Sequence, residues 1–240
     1  MAVHRRVVGR NDETEAHSKD KVNEQVKGTT MKKISHLTPR YIANRIALAI
    51  DQKLRPSDPW ITRSAICALD TLLRPSDVGV EFGSGRSTKW FADRMAQLTS
   101  VEHNRKWYEK VRDSLSSRNV KNVDYLLVED NSTDIKANAE AYTSVLQNYS
   151  DESIDFALVD GAYRGTCAYR VIPKLKRGGI LVIDNVNWFL PSSSTAPESR
   201  SYSDGPDTEE NWPEVHRTLE GWRKIWSTNG VWDTAIFLKP

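Results

Sequence analysis

Cysteine is scarce in this sequence: Cys67 and Cys167 are the only two among 240 residues. They stand far apart, without the C-x-x-C spacing of a zinc or redox site, so neither a disulfide framework nor a thiolate metal centre organises the chain. Both thiols are expected to be ordinary packing residues. Long apolar runs are missing too. No stretch approaches the roughly 18 residues needed to cross a bilayer, and the polar N-terminus lacks the apolar core of a secretory signal, so a cytoplasmic protein without membrane contact is expected. Nor is there an excess of one charge. The 34 basic side chains face 32 acidic ones, for a formal net charge of +2, without the basic surplus of a nucleic-acid-binding surface, so no nucleic-acid partner is expected.

What is present is the balance of a folded domain. Hydrophobic residues make up 38% and charged residues 28% of the chain, enough apolar surface to build a core under a solvated shell. The length suits one sizeable α/β domain with accessory segments. Residues 1–33 are polar and aperiodic and read as a flexible tail. Within 34–77, apolar residues recur at helical spacing around Ile42, Ile46 and Ile50 and again at Ile61, Ile66 and Leu69, so two or more helices should precede the main domain at 78–240. From Val78 short β-rich runs at 78–82, 98–102, 123–128, 154–159 and 179–183 alternate with helical patterns such as 87–96 and 105–115. That alternation is the mark of βαβ units and a mostly parallel sheet. Residues 191–211, dense in Ser, Pro, Asp and Glu, read as a long loop. A helix carrying Val215, Leu219 and Trp222 follows, and Asn229-Gly230 between two β-rich runs signals a closing hairpin.

The strongest local signal is Val78-Gly-Val-Glu-Phe-Gly-Ser-Gly-Arg-Ser-Thr88, an apolar strand ending in an acid and a glycine pair that opens directly into a helix. Gly83 and Gly85 let the backbone turn tightly and approach a ligand, while the helix offers free N–H groups; the alternative is a purely structural turn. Glu102 closes the second strand about 20 residues on, where such folds place an acid on ribose hydroxyls, although an acid at a strand end is often merely solvated. After the third strand, Asp130, Asn131 and Ser132 can contact an adenine edge, or Asp130 can cap the next helix.

Glu81-Phe-Gly-Ser-Gly85, Glu102, Asp130 and Asp155-Phe-Ala-Leu-Val-Asp160 together resemble the S-adenosylmethionine-dependent methyltransferases of the Rossmann-like class. The resemblance spans residues 78–240. It implies a doubly wound α/β sheet of seven strands with an antiparallel C-terminal strand, and S-adenosylmethionine as cofactor. It assigns to that cofactor Gly83, Ser84, Gly85, Ser87, Thr88, His103, Asp130, Asn131, Ser132 and Asp160, with Glu81 facing the amino-acid portion and Glu102 the ribose. Ser87 stands where many members have a third glycine. An NAD-dependent oxidoreductase shares the glycines and the second acid, but gives Glu81 no role and predicts no terminal hairpin.

A second constellation is Asp160-Gly-Ala-Tyr-Arg164 with Asp184-Asn185, carried by two adjacent strands to the same carboxyl edge. It looks like the small-molecule O-methyltransferases related to the catechol and caffeoyl-CoA enzymes, in which such an Asp and Asp-Asn pair hold a divalent metal. The resemblance therefore implies Mg²⁺ on Asp160, Asp184 and Asn185, and a hydroxyl of a small molecule as methyl acceptor. In the alternative the two acids line the cofactor and acceptor pocket. Where those enzymes carry a lysine base this chain has Tyr163 and then Arg164; Asp160, Tyr163 and Arg164 are the catalytic candidates, a tyrosine being a poor base unless a cation depresses its pKa. His103 is expected at a helix entry or against adenine rather than as a base. Trp188 and Trp212 flank the long loop as an acceptor wall or as packing. Loss of the lysine is also compatible with a catalytically inactive binding module, and the oligomeric state, a homodimer included, is left open.

Overall fold

The computed structural model describes residues 38–240; the expected tail at 1–33 lies outside them. Residues Asn44–Pro240 form one compact unit. Helices α1 (Pro39–Leu54) and α2 (Arg63–Leu72) precede the sheet, as the helical periodicity predicts. No helix among the described residues is long and apolar enough to cross a membrane.

Seven strands follow: β1 (Val78–Phe82), β2 (Gln97–Glu102), β3 (Val123–Leu127), β4 (Ile154–Val159), β5 (Leu175–Asp184), β6 (Arg223–Thr228) and β7 (Asp233–Leu238). Their order is β3-β2-β1-β4-β5-β7-β6. β1 to β5 pair in parallel, whereas β7 runs antiparallel between β5 and β6. This is the doubly wound, Rossmann-like sheet of seven strands with an antiparallel C-terminal strand that the sequence resemblance implies. A dinucleotide-binding sheet of order 3-2-1-4-5-6 has no such inserted strand.

Strand β4, Ile-Asp-Phe-Ala-Leu-Val, shows why the sheet is covered on both faces. Its apolar residues are all fully buried, and the period of two sends them to opposite sides. Ala157 and Val159 join a cluster with Phe82, Tyr142, Val171, Trp212 and Leu219. Phe156 and Leu158 join the other, with Ala65, Leu69, Trp90 and Phe91. Helices α2 and α3 (Arg86–Ala92) thus cover one face, and α5 (Ile135–Thr143), α6 (Arg164–Val171) and α7 (Trp212–Leu219) the other. α4 (Arg105–Ser117) connects β2 to β3.

Several boundaries differ from the sequence reading for local reasons. β5 starts at Leu175 rather than 179, because a bulge between the Ile154–Leu175 and Phe156–Ile180 pairs admits Lys176-Arg177-Gly178-Gly179, with Gly178 at φ 77°. α3 stops at Ala92 instead of 96, since the Ala96 amide turns to the Asp77 carbonyl to start β2. The cap of α5 is Asp134, whose side chain accepts from the Lys136 amide, and not Asp130. Trp212 is 1% exposed and stacks on Phe189, so it belongs to the core and not to an acceptor wall.

The strand order reverses between β1 and β4, and there the two loops at the carboxyl ends touch. The Asp160 amide donates to the Phe82 carbonyl (2.9 Å) and the Gly83 amide to the Val101 carbonyl (2.9 Å). Gly83 has φ 94°, and a methyl group on it would lie 2.5 Å from the Gly161 backbone. Gly83→Ala is therefore expected to cost about 2 kcal/mol or more of unfolding free energy. In the same urea titration Gly221→Ala, whose added methyl meets nothing within 4 Å, should leave stability nearly unchanged. Equal losses at both positions would show that the loops are not in tight contact.

Candidate functional site

The carboxyl edge at β1 is built around a buried acid. Glu81 is fully buried, and its Oε2 accepts from the hydroxyls of Thr88 and Ser100, both at 2.6 Å. The Thr88 hydroxyl in turn accepts from the Gly85 amide at 3.0 Å, so it ties the start of α3 to the strand-end acid. Glu81 Oε1 is buried with no partner. Burial pushes the Glu81 carboxyl up from 4.5 to about 7, and the hydroxyls of Ser100, Ser87 and Thr88 only partly offset this. An acid left with an orphaned oxygen at the mouth of a glycine turn suits a cationic group arriving with a ligand.

Glu102, at the end of β2, is held by its own loop. Its Oε2 accepts from the Ser84 amide (3.2 Å) and hydroxyl (3.0 Å), and its Oε1 from the amides of His103 (3.0 Å) and Asn104 (2.8 Å). Burial works against its ionised form, but contacts with His103, Asn104 and Ser84 outweigh it and draw the carboxyl below 4.5. His103 Nδ1 lies 3.2 Å from Glu102 Oε1, and that contact raises the imidazole pKa above its ordinary value. Ser84 is clasped from two further sides, by the Tyr125 hydroxyl at 2.6 Å and by the Trp107 indole N–H donating to its carbonyl at 2.7 Å. Beyond β3 a cavity of about 410 Å³ is lined by Leu127, Val128, Asn131, Ser132 and Asn138 among others. Asp130 is not on that wall. It accepts from the Tyr163 hydroxyl at 2.7 Å.

The ends of β4 and β5 are joined by one guanidinium. Arg164 Nε donates to the Gly161 carbonyl (3.0 Å), Nη1 to the Asp184 carbonyl (2.5 Å) and Asn185 Oδ1 (2.8 Å), and Nη2 to the Asp160 carbonyl (2.8 Å) and Oδ1 (3.0 Å). Asp184 Oδ1 accepts from the Thr234 hydroxyl at 2.5 Å. Arg164 thus takes one oxygen each from Asp160 and Asn185, and Thr234 one from Asp184. With a guanidinium already among them, these residues do not fit Mg²⁺, and no group of three or more His, Cys, Asp or Glu side chains placed to hold a metal occurs among the described residues. Burial raises Asp160 to about 6, with Arg164 opposing the rise. Burial, and then the neighbouring Asp160, push Asp184 well above the ordinary carboxylate range. Tyr163 moves the wrong way for a base. Burial and the bond to Asp130 carry it up to about 12.

The backbone pays for this arrangement at two non-glycine residues in the left-handed region, Tyr163 (φ 50°) and Asn185 (φ 52°), each opening a helical turn beside the cluster. Trp188, in the turn after Asn185, is 39% exposed. Sequence reasoning missed Thr234, Tyr125, Trp107 as a hydrogen-bond donor, and Tyr142, whose ring meets His103 and Tyr163 edge-on. Each lies inside a regular element, where polar or aromatic residues carry no local signature.

Residues 80–186 match a family described as a methyltransferase domain. No curated protein matches the sequence significantly. Among solved structures the chain is similar to a methyltransferase-like protein from Silicibacter pomeroyi, at 20% identity and TM-score 0.52 over 76% of this chain and 89% of that one. It is also similar to a Staphylococcus aureus protein provisionally named a caffeoyl-CoA O-methyltransferase, at 17% identity and TM-score 0.51 over 90% of this chain and all of that one (100%). An rRNA methylase from Streptococcus thermophilus aligns over 75% of this chain and 98% of its own at 15% identity, with TM-score 0.48.

The environment of Glu81 has a consequence for stability. With its folded pKa raised from 4.5 to about 7, its contribution is fully present below 4.5 and is lost as pH rises through about 7. Glu81→Gln, which has no such titration, should gain stability relative to the parent protein between pH 5 and 8, read as a difference in Tm that widens with pH. A pH-independent difference would remove the buried-acid account.

Proposed function

We propose that this chain, which carries a methyltransferase domain of the Rossmann-like, S-adenosylmethionine-dependent class, methylates a hydroxyl oxygen on a small molecule. The observation that carries this reading is the Asp160 carboxyl. It is drawn up to about 6, has one oxygen bound to Arg164, and has its Oδ2 without a partner among the described residues. A general base works best with a pKa near the operating pH, and Asp160 sits beside the glycine turn where the strand order reverses.

The residues present fit the cofactor. Glu81 Oε1 would receive the ammonium of its amino-acid portion, and Glu102 its ribose hydroxyls in exchange for the Ser84 hydroxyl. The cavity at Asn131 and Ser132 would take the adenine. When bound, the cofactor supplies an electrophilic methyl on a sulfonium and leaves as the thioether. Asp160 Oδ2 accepts the hydroxyl proton as the acceptor oxygen bonds the methyl carbon, while the breaking C–S bond leaves its electron pair on sulfur. Trp188 offers a flat apolar surface to a small acceptor, and Tyr163 keeps its proton and anchors Asp130.

Asp160→Asn should lower kcat by roughly 10²–10⁴-fold, the usual weight of a general base, with little change in the affinity for S-adenosylhomocysteine. The parent kcat should rise between pH 5 and 7 with a midpoint near 6, and parallel losses of rate and affinity would contradict the assignment. Glu102→Ala should weaken S-adenosylhomocysteine binding by at least roughly tenfold, because charged hydrogen bonds to the ribose are lost. Calorimetry showing unchanged affinity would remove Glu102 from the cofactor site.

A further inference from the structure

We infer that the Arg164 guanidinium is the resident cation of this edge: it bonds Asp160 and Asn185, two of the residues that the sequence resemblance assigned to a divalent ion, and it sets them as an acceptor–donor pair for the substrate hydroxyl. The role in positioning rests on the methyltransferase reading above; the exclusion of a metal does not.

A guanidinium has five N–H groups, and each of those on Arg164 has its own acceptor: the carbonyls of Gly161, Asp184 and Asp160, and the side-chain oxygens of Asp160 and Asn185. The side chain is only 15% exposed. No donor is left over to grip a substrate, so Arg164 acts through its neighbours. It binds Asp160 Oδ1 and turns Oδ2 outward. By taking Asn185 Oδ1 it fixes the amide flip, leaving Nδ2 without an acceptor among the described residues, free to donate to the hydroxyl that Asp160 deprotonates.

Geometry favours a fork here over a point charge. The five acceptors come from three backbone carbonyls and two side chains on two different strand ends, a planar set that a lysine with three donors cannot satisfy. Arg164 also opens α6, where the helix dipole disfavours a cation. The hydrogen bonds therefore hold it against the local field.

The test is Mn²⁺ binding by electron paramagnetic resonance on the full chain, with no acceptor needed. The parent protein should show no Asp160-dependent site up to about 1 mM, the weak end of carboxylate cation sites. Its affinity for S-adenosylhomocysteine should be indifferent to chelators. Arg164→Ala, which frees the oxygens, should gain one Mn²⁺ per chain, and Arg164→Ala/Asp160→Asn should lose it again. An Asp160-dependent Mn²⁺ site in the parent protein would overturn the inference, and that arm holds even if the variant does not fold. A folded Arg164→Ala that binds no Mn²⁺ would overturn it as well. For the positioning role, Arg164→Lys should lower kcat at unchanged S-adenosylhomocysteine affinity and shift the pH midpoint of kcat. An unshifted midpoint with full activity would contradict that role. If no hydroxyl acceptor is ever turned over while the Mn²⁺ pattern holds, the methyltransfer reading fails and the cation assignment stands.

Discussion

Everything at the functional edge depends on one contact, the backbone approach of Gly83 to Gly161. The two residues end neighbouring strands at the point where the sheet reverses its winding, and a methyl on Gly83 would lie 2.5 Å from the Gly161 backbone. Because the loops meet so closely, the acid that precedes the first glycine by two residues and the acid that precedes the second by one are brought to one place. Burial raises both Glu81 and Asp160, and the Asp160 charge adds to the cost of ionising Glu81. The ligand site is a product of this crowding.

Crowded acids need partners, and the chain meets the need differently on each side of the reversal. Glu102 is satisfied by its own turn, through the amides of Ser84, His103 and Asn104. Its carboxyl is drawn below the ordinary range, which suits the role toward ribose hydroxyls proposed for it. Glu81 is left with one empty oxygen, at a cost to stability that a cationic ligand would recover. Asp160 has Arg164. The three acids are therefore in three different states: hydrogen bonds draw Glu102 down, burial raises Glu81 to about 7, and burial opposed by Arg164 raises Asp160 to about 6.

Much of this was legible in the sequence, and the limits follow from physics. β1 and β4 are apolar runs bounded by turn residues, and their sequence and structural bounds coincide at 78–82 and 154–159. The glycine turn, the two acids after it and the hairpin at Asn229-Gly230 are local signals, and each was recognisable from its neighbours alone. The sequence marks Arg164 as a catalytic candidate but not as a clamp, because its five partners are spread from Asp160 to Asn185 and no short-range pattern encodes a guanidinium that bridges two strands. The same holds for Thr234, which reaches Asp184 across the β5–β7 pairing. A metal motif and a guanidinium clamp also share the same acids in sequence. Only the direction of the carboxylate oxygens separates them.

That difference bears on the kind of hydroxyl the edge can use. A divalent ion touching the acceptor lowers the pKa of the hydroxyl itself, so even a weakly acidic alcohol becomes a nucleophile. Arg164 has spent all of its donors, so in the proposed mechanism Asp160, near 6, takes the proton with only the Asn185 amide beside it. A phenol, with a pKa of about 10 as in tyrosine, lies about four units above that base, whereas a hydroxyl as weakly acidic as water, near 15.7, lies about ten units above it. Each unit of mismatch costs about 1.4 kcal/mol of proton-transfer driving force. Under the proposed mechanism, an edge built on a clamped guanidinium and a carboxylate would therefore favour acidic, aromatic or enolic hydroxyls over aliphatic ones, and the exposed indole of Trp188 beside Asn185 is a surface on which a flat acceptor of that kind would rest.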